Sequence, residues 1–285
     1  MKKIVLMAAM AAVCIGSIIF QSCSKSGEVT LQRNVQKDLK ILNDSYKTNN
    51  FQNRSWKQWC QIAVADVGGA WAGSWAGGKI GGAIGTLIPG AGSAAGASIG
   101  AAVGAAVIGA AASYGASSPI HNSSNFEANI YNFNNQYIIP NINNNQFDIS
   151  VGLSHNTILL NSLKGNTYLN NSFSNSVLSD QQKAIYNESK VYIDSLVEYF
   201  SKNSSTKTTI MYIERTIDNL LLKTVMIEYI NGISNVNDLS SALNLTYAYE
   251  KYVIGNSCFT LNQQNVLLSG FATAKYSYYF WNSIL

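Results

Sequence analysis

Asp66–Ser118 reads DVGGAWAGSWAGGKIGGAIGTLIPGAGSAAGASIGAAVGAAVIGAAASYGASS, and 15 of the chain's 22 glycines fall within it. They keep a register. Gly69, Gly73, Gly77, Gly81 and Gly85 recur every four residues, and so do Gly92, Gly96, Gly100 and Gly104. Residues four apart share one face of an α-helix, so each run predicts a helix with one face stripped of side chains. A second backbone can come close to such a face and gain dispersion contacts and weak Cα–H···O bonds. Leu87-Ile88-Pro89-Gly90 separates the runs; proline lacks the amide hydrogen a helix needs, and glycine accepts a left-handed cap. The stretch predicts a helical hairpin, about Ile62–Leu87 and Ala91–Ser113, within a unit spanning residues 55–117. In water each helical glycine costs about 1 kcal/mol relative to alanine. The pattern is tenable only where tight packing or an apolar surrounding returns that energy.

Each arm has roughly the ~20 residues that a bilayer span requires, and Lys79 is the only charge between Asp66 and Glu127. The second arm has only Ile99, Val103, Val107 and Ile108 as large aliphatics, so it is a marginal span. Lys79 would cost ~3 kcal/mol facing lipid, and less facing a water-filled lumen or a partner. Trp56, Trp59, Trp71 and Trp75 flank or enter the first arm, and tryptophan favours membrane interfaces. On its GxxxG series the stretch resembles the glycine-zipper segments of membrane-associated bacterial proteins and of small pore-forming bacteriocins. That resemblance implies membrane association or self-association through the glycine faces. A soluble hairpin packed on other helices of the chain is the other reading of the same residues.

The N-terminus begins with Lys2 and Lys3, continues through an apolar run from Ile4 to Phe20, and ends in Gln21-Ser22-Cys23-Ser24-Lys25. Residues 1–22 read as a secretory leader rather than a fold element. The small Ser22 before Cys23 resembles a lipoprotein cleavage site of the Bacteroidota type, with Phe20 where leucine is usual. The resemblance implies a lipid on Cys23 and a place in the bacterial cell envelope. Residue 24 is Ser rather than Asp, so retention at the inner membrane is not signalled and an outer-membrane lipoprotein is expected. Cys14 leaves with the leader. Cys60 and Cys258 remain as either a disulfide pair or two separate thiols, and no CxxC spacing suggests a metal or redox site.

Charged residues make up only 12% of the chain, about half the usual ~25%. The formal charge of +4 falls to +2 without Lys2 and Lys3, which is no nucleic-acid footprint. Cys23–Asp66 holds seven basic and four acidic residues, enough for weak attraction to anionic headgroups. Within it Val29, Leu31, Val35, Leu39, Leu42 and Tyr46 predict an amphipathic stalk or packing helix in the segment 23–54. Asp66 reads either as an intramembrane carboxylate or as a solvated polar position where the hairpin begins.

Residues 118–177 predict an irregular connector: 16 of the 57 residues from His121 to Val177 are asparagine, and no period is sustained. Inside it, Gly152-Leu153-Ser154-His155-Asn156-Thr157-Ile158-Leu159 resembles a GxxHNxxL pattern in a family of Bacteroidota proteins with a helical C-terminal region. His155 and Asn156 are expected to open a short helix with Leu153, Leu159 and Leu163 turned inward. A catalytic His–Asn pair would need a nucleophile, and none is identifiable. With only His121 and His155 in the chain, a histidine-based metal site is not expected.

Residues 178–285 predict a bundle of four helices. One starts at the Ser179/Gln182 capping box and runs to about Lys202. The others run from about Thr208 to Asn231, Val236 to Ile254, and Leu261 to Ile284, the last capped by Thr260 and Gln263. The last helix is apolar enough to be the bundle's buried centre or a docking element. Charges here are dispersed, with no carboxylate pair placed for acid–base work. The chain is thus expected to be mainly α, a glycine-zipper hairpin plus a C-terminal helical bundle. Its expected role is structural or interactive rather than enzymatic, without cofactor or nucleic acid. The membrane is its expected partner through the lipid, and a second copy through the glycine faces. A pore-forming effector with Lys79 facing the pore, and a soluble helical binding module with the hairpin buried, are the alternatives.

Overall fold

The computed structural model describes residues 25–47, 54–87, 92–121, 124–133, 146–164, 197–202 and 205–285. Among them the chain is helical nearly throughout and has no strand, as the periodicities predict. Helices α1 (Lys25–Tyr46), α2 (Arg54–Leu87) and α3 (Gly92–Ser117) lead into a 3-10 turn at Ser118–Ile120. Helices α4 (Ser124–Asn132) and α5 (Gln146–Leu163) follow, then a helical segment over 197–202. Helices α6 (Thr206–Thr216), α7 (Leu220–Ile233), α8 (Leu239–Gly255) and α9 (Leu261–Ile284) close the chain.

The two glycine stripes face each other. A methyl group added to Gly73 would strike the carbonyl oxygen of Gly104; on Gly77 it would strike that of Gly100, and on Gly81 that of Gly96. From the other arm, Gly100 meets the carbonyl of Gly77 and Gly104 that of Gly73. At Gly69 it would stand 2.6 Å from the Ala112 methyl carbon and 2.8 Å from the Ile108 carbonyl oxygen. Each step of four along α2 is matched by a step of four back along α3, so the pair is antiparallel and in one register. Gly85 and Gly92, near the turn, lie outside the residues whose packing is described.

The hairpin is enclosed by the rest of the chain. Helix α9 packs on α2, α3, α5 and α8; α5 covers α3, and α6 covers α2. The Trp71 ring of α2 lies against Gly270 of α9, whose missing side chain makes the space. Its indole N–H donates to the Leu267 carbonyl at 3.1 Å, and its edge meets Tyr229 and Phe271 at 5.4 and 5.6 Å between ring centres. One core therefore joins hairpin residues such as Ala63, Val67 and Trp71 to Leu222, Tyr229 and Phe271 of the C-terminal helices. The apolar α9 is the buried centre.

Helix α1 turns Val35 and Leu39 inward and lies along α7 and α8. Gln36 Nε2 donates to Glu228 Oε1 at 2.8 Å, and Asn43 Nδ2 to the Glu228 carbonyl at 2.8 Å. The Tyr249 hydroxyl donates to Asn43 Oδ1 at 2.9 Å. The segment expected as a stalk or packing helix is packed.

Several expectations need correction. The helix expected over Thr208–Asn231 is two, α6 and α7. Ile217 is extended (φ −94°, ψ 118°), and the Asn219 side chain caps the new start by accepting from Leu222 N. Asp238 caps α8 through Ser241 N, so that helix begins at Leu239 rather than Val236. The asparagine-rich connector contains α4 and α5, because Phe126, Ile130, Val151, Ile158 and Leu159 find the core. Cys60 and Cys258 are free thiols: Cys60 faces the Ile233 carbonyl in the core, while Cys258 sits in the turn between α8 and α9. The Thr260/Gln263 capping box forms as expected. The Ser179 box lies outside the described residues.

Neighbouring glycines test the zipper. Gly77 meets backbone, whereas a methyl group on Gly78 would sit 3.6 Å from the Ala97 carbonyl oxygen, an ordinary contact. Gly77→Ala is expected to cost about 3 kcal/mol or more by overpacking, lowering Tm by about 6–12 °C. Gly78→Ala is expected to be neutral or to stabilise by up to about 1 kcal/mol through helix propensity. Thermal unfolding of the two variants checks this, and equal shifts would contradict the register.

Candidate functional site

One buried carboxylate in this apolar fold gathers several polar side chains around it. Asp66, in α2, is fully buried. This corrects the expectation of a solvated position at the hairpin's entry: α2 begins at Arg54, so Asp66 lies well inside the helix and inside the core. Ser277 Oγ donates to Asp66 Oδ2. The Trp281 indole N–H is shared between Asp66 Oδ2 at 3.2 Å and Ser113 Oγ at 3.1 Å. Ser277 and Trp281 are four apart and so project from one face of α9.

Across from them, α5 brings His155 and Asn156, both buried, from mid-helix rather than from a helix start. The GxxHNxxL residues are a packing seam. Gly152 makes room for the Tyr276 ring, Leu159 is buried, and Gly109 of α3 lets the His155 ring approach, its Cδ2 3.1 Å from where a methyl carbon would stand. Asn156 Nδ2 donates to the Tyr276 carbonyl at 3.2 Å. A carbonyl can only accept, so the amide orientation is set, and Asn156 Oδ1 is left to accept from His155 Nδ1–H at 2.9 Å. His155 Nε2 then carries a lone pair. It points at Asp66 Oδ2 from 3.7 Å without closing a hydrogen bond of normal geometry, and Asp66 Oδ1 is likewise unpartnered.

Two acceptors facing each other in a dry core are tolerable only with a proton between them. The environment supplies that proton. Burial pushes the Asp66 carboxyl up from 3.8 to about 7, against opposing hydrogen bonds from Ser113, Ser277 and Trp281. Burial pushes His155 down from 6.5 to about 4, against Asn156 and the Gly109 backbone. The centre can hold a proton. It is not arranged for nucleophilic attack, because Ser277 gives its hydrogen to Asp66 rather than to His155, and Asp66, His155 and Ser277 are all fully buried.

The remaining residues singled out in the sequence lie apart from this centre. Cys23 lies outside the described residues. Lys79 is on the surface, its ammonium 3.2 Å from Asp218 and 4.2 Å above the Trp75 ring. Cys60 is in the core, where burial pushes its thiol up to about 12. His121 pairs with Ser117 at 2.8 Å and stacks on Phe126. Among the described residues no cluster of His, Cys, Asp and Glu is placed to hold a metal ion. Sequence reasoning missed Ser113, Ser277 and Trp281. The signal for them was indirect: a lone acid in an apolar helix requires donors from its neighbours. No family model matches the chain, and neither a curated protein nor a solved structure matches it.

The pair makes a pH prediction. Asp66's raised value adds stability that is full below 3.8 and lost as pH rises through about 7. His155's lowered value adds stability that is full above 6.5 and lost as pH falls through about 4. Between those limits the folded pair holds one proton and so does the unfolded pair, so their joint contribution is flat. Removing one partner should expose the other. Asp66→Asn is expected to lose stability relative to wild type as pH falls from about 6.5 to about 4. His155→Gln is expected to lose it as pH rises from about 4 to about 7. Each slope should approach about 1.4 kcal/mol per pH unit. Urea unfolding across that range checks both; difference curves without slope would contradict the pairing.

Proposed function

We propose that the chain is a lipid-anchored protein of the bacterial cell envelope with a structural or interaction role. In this reading Cys23 carries the lipid, in the outer membrane, and the glycine hairpin is the internal spine of a water-facing helical domain. The observation that supports it best is that Gly73, Gly77 and Gly81 spend their close approach on Gly104, Gly100 and Gly96 of the same chain. Faces already occupied in this way leave no room for a second copy, which weighs against self-association through the glycines. Helices α5, α6 and α9 cover the hairpin's outer sides, which weighs against a hairpin resting in lipid. Full burial of His155, Asp66 and Ser277 weighs against a catalytic role for that centre.

A pore-forming effector is the second reading, and one observation favours it. Gly96–Ile120 is long and apolar enough to cross a membrane, although 78% of its most apolar window is buried within the fold. The hairpin would have to leave its covering helices as a unit, keeping its own glycine contacts. Dye release from liposomes by the lipid-free protein would support that reading.

Carbonate extraction of membranes from cells expressing wild type and Cys23→Ala decides between them. Wild type is expected in the membrane pellet and Cys23→Ala in the soluble fraction. Retention of Cys23→Ala in the pellet would mean that the hairpin is embedded in its own right, and would overturn the first reading.

A further inference from the structure

We propose that the outward face of α1 is a docking surface for the anionic headgroups of a lipid bilayer, which holds the helical domain down on the membrane. Arg33, Lys37 and Lys40 are spaced by four and three residues, so they form one stripe on the helix, and all three are exposed. Val29, at 38% exposure, and Ile41, at 61%, lie beside that stripe. Cations flanked by apolar side chains are what a helix presents when it lies in a headgroup layer, the long stems snorkelling and the aliphatic groups dipping below. Asp44 also lies on this face and offsets part of the charge. Asp38 does not, because it is turned toward α8 and accepts from the Tyr252 hydroxyl at 3.1 Å.

Two features select a bilayer as the occupant. The opposite face of α1 is fixed to the body by Gln32 to Thr224, Gln36 to Glu228 and Asn43 to the Glu228 carbonyl, so the helix cannot roll and the basic stripe is presented outward. Cys23 lies two residues before the start of α1 at Lys25, a reach of roughly 7 Å even when fully extended. A lipid on Cys23 therefore puts the first turn of α1 at the headgroups. The proposal rests on that reading of Cys23 for its geometry, but the surface itself is testable without the lipid.

The test uses the mature chain, residues 23–285, with Cys23→Ser, in co-sedimentation with vesicles of phosphatidylcholine alone or with added phosphatidylglycerol. Binding is expected to the anionic vesicles only, and to weaken as salt is raised. The triple variant Arg33→Gln, Lys37→Gln, Lys40→Gln is expected to bind about 100-fold more weakly, with an unchanged Tm because all three are exposed. A matched variant, Lys79→Gln, Lys202→Gln, Lys207→Gln, removes the same charge from exposed positions elsewhere and is expected to bind like wild type. Equal weakening of both variants would assign the binding to net charge and overturn the proposal, as would equal binding by the triple variant or none by wild type. The mass of the protein recovered from cells reports lipidation at Cys23 separately, so that failure of the anchor and failure of the surface are distinguishable.

Discussion

Backbone-to-backbone contact between α2 and α3 is the constraint from which the rest of the fold follows. Seven described glycines, Gly69, Gly73, Gly77, Gly81, Gly96, Gly100 and Gly104, line that contact. At about 1 kcal/mol of helix propensity each, they cost on the order of 7 kcal/mol, as much as the whole net stability of a typical domain. Two helices in water cannot recover that from dispersion along one seam. The outer sides must be buried as well, and the chain buries them under α5, α6 and α9. The hairpin is consequently a spine: thin, nearly featureless on its inner seam, and dependent on its covering helices for stability. Those helices complement it by size. Trp71 of the spine fits against Gly270, and where α5 meets α9, Tyr276 fits against Gly152. Large groups meet glycines, and the seams stay narrow.

A spine built this way has few places for a polar side chain, and the one carboxylate it carries in the core dictates its neighbours. Asp66 collects Ser277 and Trp281 from α9 and faces His155 from α5. A charged Asp66 would be costly there; a neutral one, with the proton lying toward a neutral His155, costs little. Burial thus favours the proton on Asp66 over His155 between about pH 4 and 6.5. A second polar pair is handled differently. Lys275 and Glu250 are both buried and form an ion pair at 2.5 Å between α9 and α8, with the Lys275 ammonium over the Tyr247 ring. The first pair sets an imidazole beside a carboxyl group; the second sets an ammonium between a carboxyl group and an aromatic face.

The sequence was most legible where one period ran long. The hairpin's two arms, the amphipathic α1 and the last helix with its Thr260 box could all be read from spacing and caps. It was least legible where a local signal was outweighed by packing. Asparagine richness suggested irregular backbone over residues 118–177, yet α5 runs unbroken from Gln146 to Leu163 because Val151, Ile158 and Leu159 have a core to enter. The break between α6 and α7 was hidden for the opposite reason. The apolar spacing from Ile210 to Val225 continues across it, and only the Asn219 cap, a short-range hydrogen bond to Leu222 N, marks the stop. The Asp66 centre was half legible: the acid and His155-Asn156 stood out, but they are 89 residues apart in the chain. Nothing in a one-dimensional pattern joins them, and the α9 donors look like ordinary polar positions.

Hydropathy alone does not place this hairpin. Glycine and alanine are nearly neutral between water and lipid, so an arm made of them passes a length-and-composition test without a strong drive toward a bilayer. What such an arm does have is a flat surface with little side-chain entropy to lose, which rewards any partner that is itself well shaped. Lipid tails offer dispersion but no shape. The Trp71, Phe271 and Tyr229 rings of the core offer both: Trp71 meets Tyr229 and Phe271 edge to face at 5.4 and 5.6 Å between ring centres, and those two meet tilted at 5.0 Å. An aromatic pair in that geometry adds about 0.5–1.5 kcal/mol beyond burial. Enclosure by the chain's own helices is the state this hairpin takes in the structure, and in the proposed reading membrane attachment falls to a lipid on Cys23 and to the basic face of α1 beside it.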